Sequence, residues 1–242
     1  MPTPPITGVT VCVDYNDYLK LTLPYNRHHF SKCVVVTVAS DRQTKTVASN
    51  NNCDIFVTDR IYKDGSEFSK WAAVSHAVSR LKGSQWVTYF DADTLLPRRV
   101  PWHSLRIGNL YTPIRRQIPA VCDNMPQERY WPQFEIDGEA TDRKSCCLVW
   151  HTDDKHVTPA DSWSSESLPL PHAGCTPEPF QKSWPEDSVL RTPFDVLHLS
   201  KPRMDWCGRV SRYLNGEVNI VAEHRYEMLK KYIRYPKELD LI

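Results

Sequence analysis

The run Cys33-Val-Val-Val-Thr-Val-Ala39 is the stretch that decides the fold of this 242-residue chain. β-Branched residues fill it almost without interruption, which is typical of a strand whose two faces are both buried. Such strands occur in parallel sheets that helices cover on both sides. The run therefore predicts an α/β protein built on a mostly parallel sheet.

Strands and helices alternate on either side of this run. Apolar runs predict further strands over residues 8–13, 54–57 and 86–90. Between them, apolar residues recur at helical spacing in residues 15–30, where Pro24 breaks the pattern, and in residues 68–81. Ligands of such sheets bind beyond the carboxyl ends of the strands, so functional residues are expected there.

The second half of the chain has a different texture. Prolines and scattered aromatic residues are frequent from residue 95 to residue 185, and residues 146–150 form the one clear strand in that stretch. Another strand is predicted at residues 194–200, and a helical tail begins near residue 218. Loop-rich stretches on a sheet scaffold commonly form substrate surfaces.

Composition excludes several classes of protein. The 30 Lys and Arg nearly balance the 29 Asp and Glu, so no strong basic field favours indiscriminate binding to nucleic acid or membranes. No apolar run approaches the roughly 20 residues of a membrane-spanning helix. The amino terminus lacks the pattern of a signal peptide, and the eight cysteines form no CxxC pair. We therefore expect a soluble cytoplasmic protein, in the host cytoplasm if the chain is viral, with reduced and mostly buried thiols.

The strongest chemical signal is Asp91-Ala-Asp93, which directly follows the predicted strand at residues 86–90. Two carboxylates at positions i and i+2 of a turn can approach one hard divalent cation such as Mg²⁺ or Mn²⁺. The alternative is structural, because Asp is common in turns that follow strands. A DxD triplet is short enough to occur by chance, so its context decides its meaning.

One enzymatic alternative has the same motif. Residues 90–95 fit the DxDxT signature of haloacid-dehalogenase-like phosphatases, in which Asp91 would be the nucleophile and Asp93 an acid. That family also needs a later acidic pair, for which Asp153 and Asp154 are the match. It usually places its motif on the first strand, whereas at least three predicted strands precede this one. A module whose site has decayed into sugar or nucleic-acid binding is the non-enzymatic alternative.

The order and spacing of five segments resemble glycosyltransferases of the GT-A fold, family-2-like, over most of the chain. Residues 11–15 resemble their first strand and nucleotide-contacting turn, and residues 37–41 their second strand, which ends at a base-binding Asp. Residues 68–73 are similar to a helix start whose basic residue approaches the diphosphate, although Ser69 and Trp71 depart from that pattern. Residues 86–97 resemble the segment that carries the DxD, and residues 196–209 the late strand and basic loop.

The resemblance implies a single GT-A domain, Rossmann-like, with a mostly parallel sheet flanked by helices. Residues 6–95 would bind the nucleotide-sugar, residues 96–216 the acceptor and metal, with a loop insertion at 142–183 that could cover the acceptor, and residues 217–242 would form the tail. The implied cofactor is Mn²⁺ or Mg²⁺, held by Asp91, Asp93 and His198. The implied donor-binding residues are Asp14, Tyr15, Asp41, Lys70, Asp91, Lys201 and Arg203.

An inverting transferase also needs a general base for the acceptor hydroxyl. The sequence offers Glu178, which follows a capping Thr176 and Pro177, and Asp187, which mimics the family's Glu-Asp spelling. Glu178 is favoured, because little room is left for a two-turn helix between Asp187 and the strand that carries His198. If neither residue lies near the metal, the mechanism could be retaining.

The sequence does not identify the acceptor. Arg98-Arg99 and Arg115-Arg116 add positive charge on the presumed acceptor side, so a glycan, a small molecule or DNA stays open. Phage enzymes that glycosylate modified bases in DNA use comparable small GT-A domains. The basic, aromatic tail at residues 230–235 is interpreted as a solvated helix face rather than a nucleic-acid contact. UDP is the commoner nucleotide for this layout.

Overall fold

The computed structural model describes residues 5–61, 69–117, 146–156 and 184–198. The described residues form eight strands and three α-helices. In chain order these elements are β1 (Ile6–Val11), α1 (Asn16–Asn26), β2 (Lys32–Thr37), α2 (Arg42–Asn50), β3 (Asp54–Val57), α3 (Lys70–Val78), β4 (Trp86–Phe90), β5 (Thr94–Leu95), β6 (Leu110–Gln117), β7 (Cys147–His151) and β8 (Val189–His198).

All eight strands belong to one sheet, in the order β3-β2-β1-β4-β7-β6-β8-β5. Strands β1 to β4 pair in parallel, and β6 pairs in parallel with β8. Strand β7 runs antiparallel to both β4 and β6, and β5 runs antiparallel to β8. The prediction of an α/β fold with a mostly parallel sheet is confirmed.

Apolar side chains of the central strands point alternately to two buried layers. Cys33 and Val35 of β2 join the core that contains α1 and α2, whereas Val34 and Val36 join the core that contains α3. Helices therefore cover both faces of this part of the sheet, which is why β2 reads as an uninterrupted apolar run. The predicted strands at β3 and β4 have the bounds that the pattern gave, and Pro24 lies within α1, which continues to Asn26.

Three elements were missed in the sequence, namely α2, β6 and the two-residue strand β5. Helix α2 buries only Thr44, Val47 and Ala48, so its mostly polar sequence gives a weak apolar stripe. Strand β6 contains Pro113, and proline is typical of loops. The structure places Pro113 at an irregularity, where the register of β6 against β8 shifts between Thr112 and Ile114.

The structure describes residues 146–156 of the predicted insertion at residues 142–183. This part contains β7, a fully buried strand that pairs with β4 along its whole length, close to the strand predicted at residues 146–150. Residues 157–183 and the predicted tail at 217–242 lie outside the described residues. No helix within the described parts of the chain is long and apolar enough to cross a membrane.

Candidate metal and nucleotide site

The Asp91-Ala-Asp93 segment forms a tight turn at the carboxyl end of β4. Its first amide, Asp91 N, donates to the carbonyl of Cys146 (2.8 Å), just before β7, and Thr94 N closes the turn by donating to the carbonyl of Asp91 (2.9 Å). Since β1, β2 and β4 are parallel, their carboxyl ends share one edge of the sheet. The turn therefore lies at the edge where α/β proteins bind ligands.

Two polar side chains of α1 donate hydrogen bonds to the backbone of the same turn. Thr22 Oγ1 donates to the carbonyl of Ala92 (2.6 Å), and Asn26 Nδ2 donates to the carbonyl of Thr94 (2.7 Å). Asn26 Oδ1 also accepts from the amide of Leu96 (2.9 Å). Both side chains are buried. They satisfy backbone groups that the irregular chain after β4 cannot pair with a neighbouring strand.

Strand β8 brings His198 to the turn. Its last residue, His198, pairs with Thr94 of β5, the residue that follows Asp93. His198 Nε2 lies 3.4 Å from Asp93 Oδ1, and both side chains are less than one-tenth exposed. Asp93 and His198 are far apart in the sequence, and the pairing of β5 with β8 brings them together.

Asp91, Asp93 and His198 could together hold one metal ion. One ligand atom from each residue lies within 4.8 Å of the others. Opposite ligands of an octahedral ion, each about 2.1 Å from it, lie roughly 4.2 Å apart, so small side-chain movements would bring the three atoms onto one ion. Two carboxylates suit Mg²⁺ or Mn²⁺, whereas an imidazole suits transition metals, so the set as a whole favours Mn²⁺.

The two carboxylates differ in their other partners. Asp93 is buried, and its Oδ2 accepts a hydrogen bond from the Tyr15 hydroxyl (3.3 Å). Asp91 is partly exposed, and its Oδ1 accepts from Lys70 Nζ (2.8 Å) and from the hydroxyl of Tyr89. A carboxylate oxygen has two lone pairs. Oδ1 of Asp91 is therefore saturated, and Oδ2 is the atom with capacity for a metal or a ligand hydroxyl.

Tyr89 and Lys70 form a buried support for Asp91. Burial first, and then the neighbouring Asp91 charge, raise the pKa of the Tyr89 hydroxyl well above its ordinary value, so it stays a donor. Lys70 is the first residue of α3, and its Nζ lies 5.2 Å from the centre of the Tyr89 ring. This geometry allows a cation–π interaction, so the ammonium ion is held at the site by the aromatic face as well as by the carboxylate.

The turn after β1 is locked to the turn after β2. Asp41 Oδ2 accepts from the amide of Asp14 (2.8 Å), and its Oδ1 caps α2 by accepting from Thr44 N (2.9 Å). Asp14 itself has the left-handed backbone φ of 53°. Asp41 is 3% exposed, so its buried carboxylate stabilises the two turns through these hydrogen bonds.

The cysteine beside the site, Cys146, is a buried thiol. Cys146 is fully buried, and burial, followed by the charge of Asp91, raises the pKa of its thiol to about 12. A thiol with that pKa carries almost no thiolate at neutral pH, and the thiolate is the reactive form. The chemistry of this edge therefore depends on carboxylates, imidazole and ammonium.

The structure gathers five of the predicted site residues, namely Tyr15, Lys70, Asp91, Asp93 and His198. Asp14 and Asp41 lie at the same edge, engaged with each other. Glu178, Lys201 and Arg203 lie outside the described residues. Sequence reasoning missed three residues that hold the carboxylate turn, which are Thr22, Asn26 and Tyr89.

The three missed residues differ in how far the sequence indicates their role. Tyr89 lies two residues before Asp91, and alternation along a strand places positions i and i+2 on one face, so the pattern contained the information. Thr22 and Asn26 are four residues apart and share one face of a helix. Nothing in the sequence says which loop that face meets.

Asp187 does not lie at the site, so its prediction as the general base is wrong. It is exposed in the short 3₁₀ turn before β8, whereas His198 ends that strand. A ten-residue strand rises about 3.3 Å per residue and so separates the two residues by roughly 30 Å. Sequence proximity to the His-bearing strand was misleading because the strand begins at Val189 rather than near Phe194.

The acidic pair that the phosphatase alternative requires is also misplaced. Strand β7 runs antiparallel to β4, with Phe90 opposite Cys147 and Trp86 opposite His151. Asp153 and Asp154 follow His151 and therefore lie at the amino end of β4, about five strand residues (roughly 16 Å) from Asp91. The described acidic pair cannot join Asp91 in one metal site, and this alternative loses its main support.

Comparisons with known proteins give little beyond this geometry. No protein-family model and no curated protein matches the chain. Among solved structures, a mycobacterial protein is 17% identical with a TM-score of 0.37, over 47% of this chain and 41% of that one. Glucosyl-3-phosphoglycerate synthase from Mycobacterium tuberculosis, in complex with Mn²⁺, UDP-glucose and phosphoglyceric acid, is 13% identical with a TM-score of 0.36, over 47% and 44%.

The same synthase in complex with Mg²⁺ and UDP is similar to the same extent. The chain thus spans less than half the length of these solved proteins.

Proposed function

We propose that this chain is a metal-dependent glycosyltransferase of the GT-A type, which moves a sugar from a nucleoside-diphosphate donor to a hydroxyl acceptor. The observation that carries the proposal is the grouping of Asp91, Asp93 and His198 at the carboxyl edge of a parallel sheet. UDP-sugars are the favoured donors and Mn²⁺ the favoured ion. The family-2-like order of the sequence segments supports the same assignment.

The charges at the site suit departure of a nucleoside diphosphate. When the glycosidic bond breaks, negative charge develops on the leaving diphosphate, and a bound cation would stabilise it electrostatically. Asp93 and His198 are proposed to hold that ion, and Oδ2 of Asp91 to complete its protein ligands or to contact the ribose. Lys70 lies beside Asp91 and adds a second positive charge within reach of the phosphate oxygens.

The nucleoside is proposed to bind at the turns after β1 and β2. Asp14 and Tyr15 form the first turn, and Asp41 fixes its shape through the Asp14 amide. Tyr15 also contacts Asp93, so the nucleotide turn and the metal site share one side chain. This connection makes nucleotide binding dependent on the same residues that hold the metal.

The acceptor side is proposed from the sequence. Glu178 is retained as the general base of an inverting mechanism, since Asp187 is too far from His198 to serve. Lys201 and Arg203 are proposed to contact the diphosphate. A glycan, a small molecule or a hydroxymethylated base in DNA are the acceptors to test, and the charges of Arg98, Arg99, Arg115 and Arg116 favour anionic ones.

Thermal unfolding with nucleoside diphosphates and UDP-, GDP- and dTDP-sugars, with and without Mn²⁺, tests the proposal. A ligand that binds only the native state, at about a hundred times its Kd, adds about 2.7 kcal/mol to the free energy of unfolding. For a chain of this size that corresponds to a rise in Tm of roughly 5–10 °C. We expect such a rise with one nucleotide, and only when Mn²⁺ is present.

Two matched variants test whether the Mn²⁺-dependent rise in Tm depends on the proposed metal site. Asp93→Asn should abolish the Mn²⁺-dependent rise, because it removes a ligand charge from the site. Asp153→Asn changes an aspartate at the opposite edge of the sheet and should leave the rise intact. Stabilisation by a phosphate mimic such as fluoroberyllate, without any effect of nucleotides, would instead argue for phosphatase chemistry at Asp91.

A further inference from the structure

Cys33 and Cys53 form a pair of thiols at the opposite edge of the sheet from the metal site. The parallel register of β2 and β3 begins with Val34 opposite Asp54, so the residues one step earlier, Cys33 and Cys53, are neighbours. Lys32 Nζ and Asp54 Oδ2 are 3.0 Å apart and connect the same two segments on the other face of the sheet. Both thiols are free, and both belong to the core beneath α1 and α2.

The two thiols lie on neighbouring segments of the sheet and differ in their access to solvent. The Cys53 thiol donates to the carbonyl of Asn51 (3.5 Å), two residues before it. Cys33 is 1% exposed, whereas Cys53 is 9% exposed in the short connection from α2 to β3. Asn52, the preceding residue, has a φ of 51°, so the chain turns sharply beside the thiol. A small oxidant therefore reaches Cys53 before it reaches Cys33.

Neighbouring side chains reinforce this difference. The neighbouring Cys33 side chain, followed by the charge of Arg27, lowers the pKa of the Cys53 thiol, although burial and Asp54 act against it. The neighbouring Cys53 side chain and burial raise the pKa of Cys33 well above its ordinary value. Arg27 is held in place because its Nε donates to the carbonyl of Asn52 (3.2 Å) and its Nη1 to that of Phe30 (2.6 Å). Cys53 is thus the thiol that more readily becomes a thiolate.

We propose that Cys33 and Cys53 are a reversible oxidation site that takes a peroxide as its oxidant and closes to a disulfide. The Cys53 thiolate attacks one peroxide oxygen, the O–O bond breaks, and Cys53 becomes a sulfenic acid as hydroxide leaves and is protonated to water. The Cys33 sulfur then attacks the Cys53 sulfur, and the hydroxyl leaves as a second water. Two thiols and one hydrogen peroxide give one disulfide and two waters, and a thiol reductant restores the pair.

The site is separate from the proposed metal site. Cys33 lies near the start of β2, whereas the nucleotide turn follows Thr37 at its other end, about four residues or roughly 13 Å away. Oxidation of the pair therefore neither requires nor tests the glycosyltransferase assignment. The disulfide would close a loop between β2 and β3, and a cross-link of that kind stabilises a fold mainly by constraining the unfolded chain.

Peptide mapping of the full chain after treatment with hydrogen peroxide tests the proposal. The reduced protein is oxidised in native buffer, free thiols are blocked with an alkylating reagent, and a proteolytic digest is analysed by mass spectrometry. We expect a linked peptide pair containing Cys33 and Cys53, which dithiothreitol separates. Recovery of both cysteines as alkylated thiols, or linkage of either one to another cysteine in the native protein, would overturn the proposal.

Single substitutions test the order of events. Cys33→Ser removes the resolving thiol, so dimedone should capture Cys53 as its sulfenic acid. Cys53→Ser should leave Cys33 unoxidised, because the Cys33 thiol is only 1% exposed. Cys147→Ala, which changes a buried cysteine elsewhere in the sheet, should still form the Cys33–Cys53 link. Equal dimedone labelling of Cys33 and Cys53 in the two serine variants would contradict the assigned roles.

A second measurement guards against misfolded variants. Wild-type protein treated in concentrated urea loses the register that pairs β2 with β3, and should give mixed linkages instead of one. If native and unfolded wild type gave the same mixture of disulfide-linked peptides, the linkage would not depend on the folded structure and the proposal would be wrong.

Discussion

At the scale of single residues, one oxygen atom organises the carboxylate pair. Oδ1 of Asp91 receives both Lys70 and Tyr89, so the orientation of that carboxylate is fixed before any ligand arrives. Asp93 is fixed through its contact with Tyr15. Catalytic electrostatics depends on groups that do not have to reorganise during the reaction. Tyr15 and Tyr89 therefore position the two carboxylates through their hydroxyl groups, and this role does not require either hydroxyl to contact a substrate.

His29 gives a prediction at the same scale. Burial, followed by the charge of His28, lowers the pKa of His29 from 6.5 to about 3. Below pH 6.5 the unfolded chain therefore binds a proton that the folded chain does not, and folding stability falls as the pH drops from about 6.5 towards 3. The slope from this residue is about 1.4 kcal/mol per pH unit.

A His29→Phe variant tests that prediction by urea denaturation at several pH values. Phenylalanine keeps an aromatic ring against Phe30 and Trp102 but cannot take up a proton. The stability of the variant relative to wild type should rise as the pH is lowered from 6.5 to 4. Parallel stability curves for the two proteins would show that His29 titrates normally.

At the scale of elements, the packing of β1 depends on the missing side chain of Gly8. A Cβ built there would lie 2.5 Å from the nearest ring carbon of Phe30, which stacks on Phe90 with the ring centres 5.4 Å apart. Phe90 immediately precedes Asp91. The segment after α1 therefore lies close to β1 only because position 8 is a glycine.

Gly8→Ala should consequently destabilise the protein by overpacking, by about 1–3 kcal/mol. For a chain of this length, the expected fall in Tm is roughly 2–12 °C, measured by circular dichroism. Phe30→Leu in the same chain should offset part of the loss, because it removes the ring that the new methyl group meets. Additive losses in the double variant would contradict the steric explanation.

At the scale of the whole molecule, the site exists because distant segments meet. The carboxylate turn follows β4, its backbone is held by α1, and its histidine comes from the end of β8. A metal with ligands from three such positions binds the folded chain in preference to the unfolded one, so its affinity reports on the tertiary structure. A change in α1 should therefore affect metal binding at the proposed site, even though α1 contributes none of the three proposed ligands.

Asn26→Ala tests that connection. It leaves the carbonyl of Thr94 and the amide of Leu96 without their side-chain partner, at about 1–3 kcal/mol for each buried group. We expect a loss of roughly 2–5 kcal/mol of unfolding free energy together with weaker Mn²⁺ binding in calorimetric titration. Asn51→Ala is the matched control, since the side chain of Asn51 donates only to the local carbonyl of Val47 in the described structure (2.8 Å). Equal Mn²⁺ affinity in wild type and Asn26→Ala would contradict the prediction that α1 supports metal binding.

Much of the fold was predictable because the signals were local. The apolar runs at β2 and β4 define buried strands, and the acidic turn after β4 lies at the edge that binds ligands in parallel sheets. Strand β6 was not predictable, because Pro113, Arg115 and Arg116 give it the composition of a loop. Its partners in the sheet, rather than its own residues, make it a strand.

The sequence by itself determined that two carboxylates follow a buried strand and that His198 lies within a late predicted strand. Only the tertiary structure decided that these meet, that Asp187 and the pair Asp153–Asp154 lie elsewhere, and that Cys33 is adjacent to Cys53. The physical reason is that spacing along the chain fixes distances within one element, whereas strand register and direction fix distances between elements. Antiparallel pairing of β7 with β4 moves one acidic pair to the far edge, and pairing of β5 with β8 brings one histidine to the near edge.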